Sequence, residues 1–145
     1  MYETILVATD SSDESRAALE HAVSLAADVG ATVHVVTVLE VQANPMKFGV
    51  GEVDALNEAA EELLEDIIGA HDGRDVDIQG EILRGKPAKT LLEYAEQIDA
   101  DLVVAGQKGA GGITGTLVGS TTDRLTRLTD RPLVIIPAAD EESER

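Results

Sequence analysis

Cysteine is absent from this chain, which removes disulfides and thiolate metal sites at once. Tryptophan is absent too, and Phe48, Tyr2 and Tyr94 are the only aromatic residues among 145. The core must therefore be aliphatic, and the stacking platforms that bind single-stranded nucleic acid are missing. Basic residues are scarce: 11 Lys and Arg stand against 28 Asp and Glu, for a net charge of −17. Such a surface repels DNA, RNA and anionic membranes, since phosphate recognition needs an array of cations. No apolar run approaches membrane-spanning length, and MYETILVATD has neither a basic leader nor a cleavage site. A cytoplasmic protein is the expectation. The acid excess reads as adaptation to a salty, halophile-type cytoplasm, where repulsion is screened within about 3 Å at 1 M salt.

The length suits one domain. Residues 1–138 are expected to form it, with residues 139–145 as a disordered acidic tail. Short β-rich runs alternate with helical stretches. Ile5 to Ala8 is a continuous apolar run, as in a strand buried on both faces. Ser11 and Glu14 have capping-box spacing, Ala18, Ala22, Leu25 and Val29 mark a helix face, and Gly30 sits where a helix stops. Thr32 to Leu39 reads as the second strand. The segment from Glu40 to Glu52, with Pro45, Gly49 and Gly51, reads as a loop of about a dozen residues. A helix is predicted over Asp54 to Ala70 and an edge strand over Asp77 to Leu83. Pro87 opens a third helix, Asp101 to Gly106 forms the fourth strand, and Pro132 to Pro137 holds the last.

This order predicts an α/β fold with a five-stranded parallel sheet, order 3-2-1-4-5, and helices on both faces. Ligands of such sheets bind beyond the carboxyl ends of the strands, where strand order reverses. That point lies between the first and fourth strands. The segments leaving them are TDSS and GQKGAGGITGTLVGS, the latter with six glycines in fifteen residues. So many glycines, each costly to order, suggest bare backbone around a phosphate chain. Gly106 and Gly109 let the backbone pass close to a ligand. Gly119, Ser120 and Thr121 open the fourth helix, whose N–H groups and hydroxyls can face an anion, and Lys108 supplies a cation. Gly111, Gly112 and Gly115 serve flexibility in this reading. Asp10 ends the first strand, where its carboxylate can meet a ribose hydroxyl or base amine, or cap the first helix. Val38 can offer backbone groups to an adenine edge. Neither a Walker A loop nor a dinucleotide fingerprint is present.

Gly106-x2-Gly109-x9-Gly119-Ser120 resembles the nucleotide loop of ATP-binding members of the universal stress protein A family. ILVATDSSDESRAAL, HVVTVLE, RGKPAKTLLEYAEQIDADLVVAG and GSTTDRLTRLTDRPLVIIP extend the resemblance over residues 2–137. It implies a Rossmann-like fold of the adenine nucleotide alpha hydrolase type. It also implies a homodimer and bound ATP. Mg²⁺ is expected to come with the triphosphate, held mainly by phosphate oxygens and water. By the same resemblance, Asp10 and Val38 meet the adenosine and Gly106 lies near the ribose. Lys108, Gly109, Gly119, Ser120 and Thr121 hold the phosphates. Pairing of the last strand, Pro132 to Pro137, with its copy would cover an apolar sheet edge.

His21, His34 and His71 lack metal-ligand spacing, and no nucleophile–base pair is evident. No water-orienting residue accompanies the glycine loop, so rapid hydrolysis is not expected. The expected function is an ATP-binding stress-response sensor or switch. A nucleotide-free interaction protein of the same family and a slow ATPase are the alternatives.

Overall fold

The computed structural model describes residues 2–10, 12–39, 50–71, 73–107 and 120–137. Five strands and four helices alternate: β1 (Thr4–Ala8), α1 (Asp13–Val29), β2 (Thr32–Leu39), α2 (Val50–Ala70), β3 (Asp77–Arg84), α3 (Pro87–Ile98), β4 (Leu102–Gly106), α4 (Ser120–Leu128) and β5 (Leu133–Ile136). The strands are all parallel, in the order β3-β2-β1-β4-β5. The expected sheet, with its reversal between β1 and β4, is what forms.

Alternation along the strands builds two cores. Ile5, Val7, Val33, Val35, Leu102 and Val104 face α1 and α2, where Leu19, Val23 and Leu64 meet them. Leu6, Val36, Val103 and Ala105 face the other way, against Leu91 and Ala95 of α3 and Leu125 of α4. Ile5, Leu6 and Val7 are wholly buried, which explains why β1 reads as an unbroken apolar run. Burial of each such side chain contributes about 1.5–3 kcal/mol. The scarcity of aromatics is met by alanine: Ala18, Ala22 and Ala26 let α1 lie close over the sheet.

Local signals account for two of the helix ends. Gly30 caps α1 at φ 77°, the left-handed conformation that glycine adopts without strain, and its N–H reaches Ala26 O. Pro87 occupies the first turn of α3.

Three expectations shift. The N-cap of α1 is Ser12, one residue beyond the Ser11–Glu14 pair, because Asp10 Oδ1 takes the Ser12 N–H and turns the chain there. The buried stripe of α1 runs through Ser15, Ala18, Leu19, Ala22, Val23 and Ala26. Leu25 lies at its margin, and Val29, which ends the helix, is 44% exposed. Helix α2 begins at Val50 rather than Asp54, and Gly51 is accommodated in its first turn, where backbone N–H groups have no helical partner anyway. Residues 40–49 of the expected loop and the acidic tail lie outside the described residues.

Candidate functional site

The carboxyl ends of β1 and β4 lie side by side, with α1 rising from one and α4 following the other. At the end of β1 the chain is tied down by hydroxyls. Thr9 N–H donates to Val36 O at 2.9 Å. Ser12 Oγ accepts the Ser15 N–H at 3.1 Å, and Ser15 Oγ donates to Ser12 O at 3.0 Å. Having given its only proton to Ser12, Ser15 Oγ is an acceptor for both Asp10 N–H (3.2 Å) and the Thr9 hydroxyl (3.3 Å). Thr9 and Ser15 are buried, so this hub fixes the half-buried Asp10 at the mouth of the crevice. Asp10 Oδ1 accepts the Ser12 N–H at 2.9 Å, an Asx-turn bond that belongs to the capping role.

Gly106 ends β4, paired with Ile136. Its lack of a side chain has a structural cause: a Cβ there would stand 2.8 Å from the backbone C and O of Glu14. The first turn of α1 therefore packs directly on the end of β4. The Gly106 carbonyl accepts the Thr122 hydroxyl at 2.7 Å, and Thr122 is 4% exposed. This bond hangs the start of α4 on β4. Ser120 opens α4 and the half-buried Thr121 follows it, so both lie in the helix's first turn beside the crevice. Unpaired N–H groups and the helix dipole make that turn attractive to an anion. Lys108, Gly109 and Gly119 lie outside the described residues, as do Gly111, Gly112 and Gly115.

The position of Val38 follows from the sheet register. Ala8 pairs with Val36, and the Thr9 N–H bonds the Val36 carbonyl, so the backbone polar groups of Val36 point toward β1. Those of Leu39 point the other way, since its carbonyl accepts the Gly85 N–H. The N–H and C=O of Val38 therefore face β1, whose strand stops at Ala8. Neither group has a hydrogen-bond partner among the described residues. A donor and an acceptor thus stand together at an open strand edge, above the ends of β1 and β4. The Val38 side chain packs on the α3 side of the sheet.

The structure brings Asp10, Val38, Gly106, Ser120 and Thr121 to one end of the sheet. It adds Thr9, Ser15, Thr37 and Thr122, the buried polar residues at that end, which sequence reasoning missed. Their signal was faint: hydroxyl residues at strand ends and in first helical turns, where a hydroxyl is also an ordinary cap. Among the described residues no cluster of His, Cys, Asp or Glu could hold a metal ion. His71 is buried away from this end, with Nδ1 2.9 Å from Ile67 O and Nε2 2.9 Å from Glu20 Oε2, joining α2 to α1. No helix among the described residues is long and apolar enough to cross a membrane.

Residues 1–137 match the model of the universal stress protein family. Universal stress protein MJ0531 of Methanocaldococcus jannaschii is 31% identical over 147 residues, covering 98% of this chain and 86% of that protein. The solved structure of hypothetical protein MJ0577 superposes with a TM-score of 0.86 at 22% identity, covering 97% of this chain and 99% of the other. A universal stress protein solved in complex with cAMP gives a TM-score of 0.69 at 28% identity, covering 95% and 98%. The chain belongs to the universal stress protein family.

Proposed function

We propose that this chain is an adenine-nucleotide-binding stress protein, with ATP as its ligand and nucleotide occupancy as its switch. The observation that carries the reading is the N–H and C=O of Val38 at the open edge of β2, which have no hydrogen-bond partner among the described residues. That pair matches the acceptor and amine donor on one edge of adenine. Asp10 follows β1 at the mouth of the same crevice, where its carboxylate suits a ribose hydroxyl. The first turn of α4, with Ser120 and Thr121, lies on the far side and suits phosphate. Lys108, Gly109 and Gly119 complete the phosphate contacts in this reading, and Gly106 lies near the ribose. Mg²⁺ arrives with the triphosphate and is held by its oxygens and water. The related protein solved with cAMP supports an adenine nucleotide as the ligand class.

The test is a calorimetric titration with Mg-ATP of the wild-type chain and of Gly109→Val. Saturable binding by the wild type, weakened at least tenfold in the variant, is the expected outcome. No heat of binding and no thermal stabilisation by Mg-ATP would favour a nucleotide-free interaction protein. Steady phosphate release in the same samples would indicate an ATPase instead of a binding switch.

A further inference from the structure

Thr37 is 6% exposed, and its Oγ1 is the buried side-chain polar atom left without a hydrogen-bond partner among the described residues. A threonine in a strand interior is ordinary when its hydroxyl finds a carbonyl. One left unsatisfied is costly and calls for an explanation. Its place in the fold supplies one. Thr37 immediately precedes Val38, and strand alternation puts its side chain on the α1 side of the sheet, the face of Val33 and Val35. Ala8 pairs with Val36, and Thr9 N–H bonds the Val36 carbonyl, so Thr9 and Thr37 are the next neighbours across β1 and β2. The Thr9 hydroxyl is committed to Ser15. Thr37 is the cross-strand neighbour of Thr9, next to the Val38 backbone pair that also has no partner among the described residues. Three polar groups on adjacent residues, without partners among the described residues, thus lie where β1 stops.

We infer that Thr37 is a specificity-determining residue of the nucleotide site, its hydroxyl making a third hydrogen bond to the nucleobase alongside the two from the Val38 backbone. The inference rests on the nucleotide-binding reading above. The bond pairs a buried hydroxyl in the bound state and leaves it unmatched in the free state. Removing the hydroxyl must then act with opposite signs on the two states.

The experiment compares wild type, Thr37→Val and Thr37→Ser, by thermal unfolding without ligand and by titration with Mg-ATP and with inorganic tripolyphosphate. Thr37→Val keeps the shape and loses the hydroxyl, while Thr37→Ser keeps the hydroxyl. The expected result is a higher Tm for free Thr37→Val, ATP affinity about tenfold weaker, and tripolyphosphate affinity unchanged. Thr37→Ser should retain most of the ATP affinity. ATP affinity in Thr37→Val equal to wild type would overturn the inference and leave the nucleotide reading standing. A lower Tm of free Thr37→Val would also overturn it, by showing that the hydroxyl already has a partner within the fold. Wild type that binds no ATP would remove both readings together. Wild type that binds tripolyphosphate as tightly as ATP would remove the base contact alone.

Discussion

Gly106 shows how a residue can carry two arguments that differ in cause. In the sequence it opens a glycine-rich loop and suggests room for a ligand. In the fold it makes room for the helix α1, because a Cβ would fall 2.8 Å from Glu14 backbone atoms. Backbone on both sides leaves little freedom to yield. Gly106→Ala should therefore destabilise the free protein by about 1–3 kcal/mol, seen as a Tm lower by roughly 3–10 °C. An unchanged Tm with lost nucleotide affinity would show that the glycine serves the ligand alone. The contact was hidden in the sequence because it joins the end of the fourth strand to the start of the first helix. Gly30 and Pro87 were legible because their roles are set by their own backbone conformations and immediate neighbours. Thr37 was hidden for another reason: a lone hydroxyl residue in a valine-rich strand looks ordinary until the register shows where β1 ends.

Elements are held at their ends by a few charged and polar groups. Asp101 precedes β4, and its Oδ2 accepts the N–H of Glu3 at 2.8 Å and of Thr4 at 3.1 Å, while its own N–H donates to Thr4 O. It thereby fastens the start of β4 to the start of β1. The sequence placed Asp101 inside the strand, since a pattern of residue types does not reveal a carboxylate turned back onto a neighbouring chain end. The backbone N–H of Glu3, followed by that of Thr4, holds this carboxyl below its ordinary 3.8. A carboxyl depressed by folding stabilises the native state above the unfolded value, and that contribution is lost as the pH falls below 3.8 through its folded value. His34 in β2 lies edge-on to Tyr94 of α3, ring centroids 6.2 Å apart. Burial pushes its imidazole below the ordinary 6.5, against the opposing pull of Asp77 and Glu81. The unfolded chain then binds the proton more readily, so stability declines as the pH drops below 6.5. Acid unfolding should weaken the fold first in the His34 range and again in the Asp101 range. Asp101→Asn should lower stability at neutral pH by about 1 kcal/mol and approach wild type as the pH falls below 3.8 through the folded carboxyl's value, as followed by denaturant midpoints across pH. A difference from wild type that stays constant across pH would contradict this assignment.

At the scale of the whole molecule the order of elements was enough to reach the topology, because parallel strands joined by right-handed crossovers leave few arrangements. The candidate site was legible in position, at the reversal between β1 and β4, and less so in detail, since its donors are backbone groups that any side chain can carry. The sheet has two different edges. Edge strand β3 exposes Asp77, Gln79, Glu81 and Arg84, a polar row that discourages pairing. Edge strand β5 offers Leu133–Ile136, four half-buried aliphatic residues. We expect β5 to pair with its copy about a two-fold axis, so sedimentation equilibrium in high salt should give a dimer at micromolar protein. A monomer there would refute the pairing. Whether the crevice at the carboxyl end of the sheet holds a nucleotide is tested most directly by denaturing freshly purified protein and identifying any released small molecule by chromatography. Release of an adenine nucleotide in near-stoichiometric amount, absent from Gly109→Val prepared in parallel, is the predicted result. Equal nucleotide from both proteins, or none from wild type together with no binding of added Mg-ATP, would contradict it.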